Sequence, residues 1–185
     1  MNGREEGWSV RAAVGGAQDR RAARQGIADL YEEHIWGVYG FFGYRVGSRA
    51  DAEDLTQQTF ERAMRAWDRF DPNRGSARTW LMSIAHNLLI DHYRRDRTAR
   101  HEPVEDYLGH HELRAEEPDI GVSPELAGAL QELGDRDREL VALRFGADLT
   151  GPEIAELTGL ALSNVQQILS RSLRKLRARL RSSDR

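Results

Sequence analysis

Residues 151–168 have the sequence GPEIAELTGLALSNVQQI, which indicates two short helices joined by a tight turn. Gly159 falls between the two apolar patterns and can adopt the positive φ that such a turn requires. Ala155 is small where the helices approach each other, and Ile154 and Val165 can fill the space between them. The stretch therefore predicts a helix-turn-helix. A helical hairpin with no role in DNA binding is the alternative.

The sequence that follows this turn predicts a long basic helix over residues 162–181. One face is apolar, with Leu169, Leu173, Leu176 and Leu180 pointing inward, while the rest is crowded with Arg171, Arg174, Lys175, Arg177 and Arg179. Such a helix suits the major groove and its flanking phosphates, and Asn or Gln can pair bidentately with adenine. The candidate residues for duplex DNA are Ser163, Asn164, Gln166, Gln167, Ser170, Arg171 and Arg174.

The N-terminal half of the chain is also predicted to be helical. Apolar residues recur at three- and four-residue steps from Ile27 to Phe42 and again from Ala52 to Trp67. The segment 68–76, DRFDPNRGS, contains the Pro, Asn and Gly residues that interrupt a helix. Ser76 is a candidate N-cap for a third helix over about 77–97. No strand-like alternation is present, so the predicted fold class is all-α.

Composition divides the chain into two predicted domains. Residues 1–25 lack apolar periodicity, and we expect them to form a mobile N-terminal tail. Residues 99–122 combine Pro, Gly and acidic residues, a composition typical of a flexible linker. Ser-Pro-Glu at 123–125 is a helix-start signal. We therefore predict two small helical domains, 26–98 and 123–181, joined by an acidic linker.

Charge is segregated along the 185 residues although the net charge is only −3. Residues 163–185 hold seven basic residues against one acid, whereas residues 102–125 hold eight acids against one base. Local charge governs local contacts, so the basic C-terminal end can meet phosphate and the acidic stretch cannot.

Several classes of function are disfavoured by what the sequence lacks. The chain has no cysteine, which excludes disulfides, thiol catalysis and thiolate zinc sites within it. Its six histidines (34, 86, 92, 101, 110 and 111) show no metal-ligand spacing, and no phosphate-binding Gly loop or nucleophile–base pair is present. No apolar stretch is long enough for a membrane span or a secretory signal. We expect a cytoplasmic, non-enzymatic protein without metal, cofactor or membrane insertion.

Three blocks of the N-terminal half together resemble a known family. They are DAEDLTQQTF at 51–60, WDRFDP at 67–72 and TWLMSIAHN at 79–87. Their wording and spacing are similar to region two of the extracytoplasmic-function (ECF) sigma factors of bacterial RNA polymerase, and residues 123–181 resemble region four. The resemblance implies a protein that binds core RNA polymerase, recognises the −35 and −10 promoter elements and promotes DNA opening.

By this resemblance, the second helix docks on the clamp coiled coil of the largest polymerase subunit. Its polar and acidic surface consists of Asp51, Glu53, Asp54, Gln57, Gln58 and Glu61. Without the family, the same block is a helix N-terminus at which the helix dipole favours acids.

A ridge on the third helix is the candidate site for unpaired DNA. Trp80, Asn87 and Arg94 are spaced by seven, with Ser83 between the first two, and an aromatic, an amide and a cation suit single-stranded DNA. Trp80 as a simple core residue is the alternative. The resemblance implies that Phe70 and Asn87 build a pocket for a flipped base of the −10 element. The full predicted set is Phe70, Ser76, Trp80, Ser83, Asn87, Arg94, Arg95 and Arg97.

The resemblance also implies partners and leaves one alternative function. We expect contacts with the polymerase clamp and flap region, a linker that passes near the RNA exit path, and an anti-sigma factor. Relatives commonly begin the second helix of the helix-turn-helix with Ser-x-Gly-Thr-Val, whereas this chain has ALSNVQQI at 161–168, so the −35 preference cannot be transferred. The alternative is a helix-turn-helix regulator that binds duplex operator DNA without polymerase, and an interaction adaptor is a third class.

Overall fold

The computed structural model of the chain describes residues 26–100 and 122–183, with side chains for 26–96 and 122–182. All regular elements in these ranges are helices, which confirms the predicted all-α class. They are α1 (26–43), α2 (Arg49–Ala66) with a following 3₁₀ turn (Trp67–Arg69), α3 (Ala77–Arg100), α4 (Pro124–Gln131), α5 (Asp135–Val141) with a following π turn (Ala142–Gly146), α6 (Gly151–Thr158) and α7 (Leu162–Ser183). The predicted tail 1–25 and linker residues 101–121 lie outside the described residues.

The N-terminal half is a bundle in which α1, α2 and α3 share one apolar core. Phe41, Phe42, Leu55 and Leu88 are fully or almost fully buried there. Ser48 begins α2 because its hydroxyl oxygen accepts a hydrogen bond from the backbone N–H of Asp51 at 3.3 Å. Apolar residues at helical spacing thus bring the three helices together, as the sequence predicted.

The connection between α2 and α3 forms as its turn residues indicated. The Asp71 carboxylate accepts a hydrogen bond from the backbone N–H of Asn73 at 3.0 Å, which tightens the loop. Ser76 accepts one from the backbone N–H of Thr79 at 3.0 Å, so its predicted role as the N-cap of α3 is confirmed. Helix α3 continues to Arg100, three residues beyond the predicted end.

In the C-terminal half, a buried arginine joins α4 to α5. Arg138 is 2% exposed, and its guanidinium donates to the carbonyl oxygens of Leu130 at 2.9 Å and Leu133 at 3.1 Å. These carbonyls lie at and just beyond the end of α4, where the last carbonyl groups of a helix find no backbone N–H within the helix to bond with. Burial lowers the pKa of Arg138, and the nearby charge of Arg45 acts in the same direction. Ser123 caps α4 with Pro124 in the first turn, as predicted.

The sequence also predicts a helical run over about 135–145, between Gly134 and Gly146, and the structure is helical there but changes helix type in the last turn. Helix α5 ends at Val141, and Ala142–Gly146 form a π turn in which the N–H of Ala147 donates to the carbonyl of Ala142 at 2.9 Å. A π turn inserts one extra residue per turn, so the chain widens here rather than continuing the α-helical ladder.

The helix-turn-helix of α6 and α7 is confirmed. Thr150 and Glu153 form a reciprocal capping box at the start of α6. Gly159 has φ +70, a left-handed conformation that glycine adopts without steric cost. One detail was wrong: Leu173 is 36% exposed, whereas Ser172 is fully buried. Positions 165, 172 and 176 share the inward face at steps of seven and four, which leaves 173 at its edge.

The two halves pack against each other. Backbones of α1 and the π turn meet where a Cβ built on Gly40 would lie 2.5 Å from the carbonyl oxygen of Gly146. Arg45 donates to the carbonyl of Asp135 at 2.9 Å, and Arg78 donates to that of Ala147 at 2.6 Å. A single apolar cluster therefore runs from α1 through α3 into α6 and α7.

Candidate nucleic-acid and polymerase interface

Three aromatic side chains meet where α2, the 3₁₀ turn and α3 join. The ring centroids of Trp67 and Phe70 are 5.3 Å apart, those of Phe70 and Trp80 5.2 Å, and those of Trp67 and Trp80 5.9 Å. These separations are typical of favourable aromatic pairs. All three side chains are partly buried, so part of each ring stays accessible to solvent. This aromatic cluster can stack on an unpaired base.

The ridge of α3 continues from the aromatic cluster to an exposed amide. Asn87 lies two turns beyond Trp80 on the same side of the helix and is exposed. Ser83 lies between them, and its hydroxyl donates to the carbonyl of Trp80 at 2.6 Å. Ser76 is engaged as the cap of α3. Asn87 is therefore the main exposed polar side chain of this ridge that can reach a base edge.

The predicted phosphate contacts beyond Asn87 are partly paired within the protein. Arg94 lies 3.3 Å from the Asp91 carboxylate, and Arg62 of α2 approaches the same carboxylate at 3.6 Å. The Nε of Arg95 donates to the carbonyl of Asp91 at 3.3 Å. All three arginines remain exposed, so a phosphate can still reach them. The side chain of Arg97 lies outside the described residues.

One ion pair links the α3 ridge to the C-terminal half. His86 and Glu139 approach at 2.5 Å, with their side chains 23% and 15% exposed. Burial acts to raise the pKa of Glu139, but the hydrogen bond and charge of His86, together with the charges of Arg45 and Arg136, outweigh it, and the pKa lies below its ordinary value of 4.5. The side of α3 beside Asn87 is thus held against α5.

The candidate duplex-binding surface on α7 is exposed throughout. Its polar residues face solvent on one side of the helix, while Val165 and Ser172 are buried on the other. The hydroxyl of Ser172 donates to the carbonyl of Ile168 at 2.9 Å, which satisfies this buried polar group. The exposed set comprises all seven candidates: Ser163, Asn164, Gln166, Gln167, Ser170, Arg171 and Arg174.

One cation of this surface is held in place by a neighbouring helix. Arg171 donates to the Asp137 carboxylate at 2.8 Å, while its side chain stays 51% exposed. The hydrogen bond and charge of Asp137 raise the pKa of Arg171. The guanidinium is therefore fixed in orientation and still available to DNA on its open side.

The predicted polymerase-binding surface on α2 is polar and largely exposed. Glu53 pairs with Arg49 at 2.8 Å, and Gln57 donates to Glu61 at 3.0 Å, so the side chains form rows one helical turn apart. Asp51, Glu53, Asp54 and Gln57 are exposed, and Gln58 and Glu61 are partly buried. The structure thus places all six predicted residues together on one helix.

Within the described ranges, no helix is long and apolar enough to cross a membrane. Among the same residues, no group of three or more His, Asp or Glu side chains is arranged to hold a metal ion.

Comparison with known proteins identifies the family. Residues 30–99 match the family model for Sigma-70 region 2, and residues 129–178 match that for Sigma-70 region 4. The chain is 30% identical to RNA polymerase sigma factor YlaC of Bacillus subtilis, covering 86% of this chain and 95% of YlaC. It is 32% identical to ECF RNA polymerase sigma factor SigF of Caulobacter vibrioides, covering 90% and 89%. The chain belongs to the ECF family of RNA polymerase sigma factors.

Other matches agree with this placement. The chain is 32% identical to ECF RNA polymerase sigma factor BldN of Streptomyces coelicolor and spans 64% of its length. The solved structure of CnrH, in complex with the cytosolic domain of CnrY, has a TM-score of 0.62 and 26% identity over 88% of this chain and 94% of that one. The sigma factor RpoE of Bartonella quintana, in complex with the anti-sigma factor NepR, has a TM-score of 0.62 at 19% identity and shares the fold.

For this sigma factor, sequence reasoning missed two residues of the site. Trp67 was predicted only as part of the apolar face of α2, but it completes the aromatic cluster. Its spacing of three from Phe70 within WDRF was the available signal. Arg78, in the first turn of α3, fixes the start of this helix to the C-terminal half by donating to the carbonyls of Ala147 and Asp148. No local sequence pattern predicts that contact.

Proposed function

We propose that this sigma factor divides promoter recognition between its two halves. Residues 123–181 bind the −35 duplex through α7, and residues 26–98 capture the unpaired −10 strand through α3. The observation that carries the proposal is that one chain matches both Sigma-70 regions, with the two candidate DNA surfaces on separate helices. Residues 99–122 serve as the connection between the halves.

Support for the −35 assignment comes from the surface of α7. A helix-turn-helix places its second helix in the major groove, with the residues of the N-terminal turns near base edges. Asn164 and Gln167 lie in those turns and are exposed, and Arg171 follows one turn later. We assign base recognition to this trio and phosphate contact to Arg174 and the cations beyond it.

Support for the −10 assignment comes from the aromatic cluster and Asn87. A base that leaves the stack can be held between aromatic rings and read by an amide on its pairing edge. Phe70 and Trp80 supply the rings at the start of α3, and Asn87 supplies the amide two turns beyond Trp80. Melting then requires no catalytic residue, because capture of the extruded base offsets the cost of unpairing it.

We assign the acidic surface of α2 to the clamp coiled coil of the largest polymerase subunit. Its exposed carboxylates, among them Glu53 and Asp54, supply the negative charge for such a contact. The protein would act in the cytoplasm, together with polymerase, and the linker would pass near the RNA exit path.

We further propose that an anti-sigma protein controls this chain. CnrH has a similar structure and was solved with a bound partner, the cytosolic domain of CnrY. In this chain the two halves already touch at Gly40 and Gly146, so a protein inserted between them would have to separate that contact.

Transcription with purified bacterial core polymerase on a genomic library tests the proposal. We expect promoter-specific transcripts that depend on the added chain. Duplex binding without transcripts would favour a regulator that acts without polymerase, and failure to associate with core enzyme at low salt would refute the proposal.

The double substitution Glu53→Arg/Asp54→Arg tests the docking surface. Reversing two exposed charges should abolish association with core polymerase while leaving the chain folded, as circular dichroism would show. The matched control is Asp29→Arg/Glu33→Arg, which reverses two exposed charges on α1. Equal loss in both variants would show that net charge, rather than the α2 surface, governs the association.

A further inference from the structure

An apolar groove runs between α1 and α2 and reaches the π turn. Seven large apolar side chains are exposed in the described part of the chain, and four of them line this groove. They are Tyr31 at 48%, Trp36 at 78%, Met64 at 60% and Phe145 at 46% exposure. A cluster of exposed apolar side chains of this kind marks a surface that binds another chain or chain segment.

The size of the groove indicates a chain segment rather than a small molecule. It encloses about 1680 Å³. Small-molecule pockets usually hold about 300–1,000 Å³. The groove extends from Ile27 at the start of α1 to Phe145 of the π turn, and Trp67 lines its wall together with α2.

We propose that residues 1–25 of this chain bind in the groove. Charge favours them: the groove is lined by four acids, Glu32, Glu53, Glu61 and Asp68, against one base, Arg49. The segment 1–25 carries five bases against three acids, namely Arg4, Arg11, Arg20, Arg21 and Arg24 against Glu5, Glu6 and Asp19. Residues 101–121 also adjoin the groove, at Val122, but they carry seven acids and one base and would be repelled.

The position of the segment agrees with this assignment. It joins α1 at Gly26, where a Cβ would lie 2.7 Å from the ring of Trp67 at the edge of the groove. Trp36 lies ten residues along α1, or about 15 Å away at the rise of an α-helix. The twelve residue steps from Gly26 back to Val14 span up to about 40 Å when extended. The apolar residues Trp8, Val10 and Val14 can therefore fold back onto the groove.

The groove shares residues with the docking surface assigned to polymerase. Glu53, Gln57 and Glu61 belong to both. A filled groove would therefore compete with core polymerase, which makes residues 1–25 an internal regulator. This consequence rests on the proposed function, whereas binding of the segment itself does not.

Cysteine crosslinking tests the binding directly, because the chain has no native cysteine. The full-length variant Ser9→Cys/Met64→Cys, treated with a short bismaleimide at low protein concentration, should give an intramolecular crosslink. The control Ser9→Cys/Ile90→Cys places the second thiol at an exposed position of α3 outside the groove and should remain unlinked. Equal yields in both variants would overturn the proposal.

Other occupants give different products. An efficient crosslink in Ala115→Cys/Met64→Cys, with none from position 9, would assign the groove to residues 101–121. A crosslink found only between molecules, and dependent on concentration, would assign it to a second copy. Either result would overturn the proposal.

A charge reversal separates this inference from the proposed function. Arg20→Glu/Arg21→Glu/Arg24→Glu should lower the intramolecular crosslink yield at least threefold. If the groove is filled in nine of ten molecules, the same variant should bind core polymerase about seven- to tenfold more tightly. Unchanged crosslinking would overturn the binding itself, and unchanged polymerase affinity with reduced crosslinking would overturn the competition. If the Ser9→Cys/Met64→Cys chain crosslinks but neither it nor its charge-reversed form binds polymerase, the proposed function would instead be refuted.

Discussion

Helices α3 and α7, the two proposed DNA-binding elements, have two different kinds of surface. On α7 all seven candidate residues are polar and exposed, and the buried face behind them is continuous with the core. On α3 the candidates begin with partly buried rings, and Asn87 is the exposed amide beyond them. A polar row can read base edges that a duplex already displays, whereas rings gain stacking only from a base that has left its helix.

This difference also separates the two energetic tasks. In the proposed function, binding at α7 leaves the duplex intact, so its contacts contribute directly to affinity. Binding at α3 must offset the few kcal/mol that unstacking and unpairing cost, which requires apolar ring area rather than further polar groups. The following substitutions test whether the two surfaces are as distinct as their chemistry indicates.

Trp80→Ala should have the largest effect. Loss of a stacking ring costs about 1–3 kcal/mol per base, so binding to single-stranded −10 DNA should fall about 5- to 150-fold. Fluorescence anisotropy with labelled oligonucleotides measures this, with Trp80→Phe as the control that keeps a ring. If −35 duplex binding fell by the same factor, Trp80 would be acting through folding alone.

The double substitution Asn164→Ala/Gln167→Ala should come next. Each bidentate amide–adenine contact contributes about 1–3 kcal/mol of discrimination, so at about 1 kcal/mol for each of the two contacts we expect roughly 30-fold weaker binding to the preferred −35 duplex and little change on random DNA. The control Lys175→Ala should weaken binding evenly across sequences and lower the salt dependence. A uniform loss in the amide variant would remove these residues from base recognition.

Asn87→Ala should have a smaller effect that is confined to single strands. One hydrogen bond contributes about 1 kcal/mol, or roughly fivefold in affinity. Competition between −10 single strands and −35 duplex in one titration detects this change. Parallel losses on both probes would place Asn87 outside the pocket.

The smallest effect concerns the link between α3 and the C-terminal half. The pKa of Glu139 lies below 4.5 in the folded protein, so the ionised carboxylate, which pairs with His86, stabilises the fold above about pH 4.5. This stabilisation is lost as the pH falls through the folded pKa. Glu139→Gln should therefore lower stability at pH 7 and have less effect at pH 3.5, measured by urea unfolding. The same deficit at both pH values would exclude a charge-dependent contribution.

Features that depend on neighbouring residues in sequence were predictable. Ser76 and Ser123 cap their helices and Gly159 takes a positive φ, because each effect is complete within one turn. The exposed polar row of α7 follows from helical periodicity in the same way. Burial at the edge of that periodicity was not predictable. Leu173 and Ser172 are neighbours in sequence, and Ser172 is the one that is buried in α7, which packs on α4 and α5.

Features that join distant segments could not be read from the sequence. The carbonyls that Arg138 binds, the ring of Trp67 beside Trp80 and the contact between Arg78 and the residues before α6 all depend on tertiary packing. The division into domains and the roles of the individual DNA-binding residues stay predictions.

At the Gly40–Gly146 contact, the packing between the two halves of this sigma factor has no room for added atoms. With no side chain on either residue, the two backbones touch directly, and one methyl group at either position has no room. Such a methyl would force the two halves apart while leaving every proposed DNA-binding side chain unchanged. Gly40→Ala is therefore a route to a permanently open variant, whose greater radius of gyration small-angle X-ray scattering would reveal.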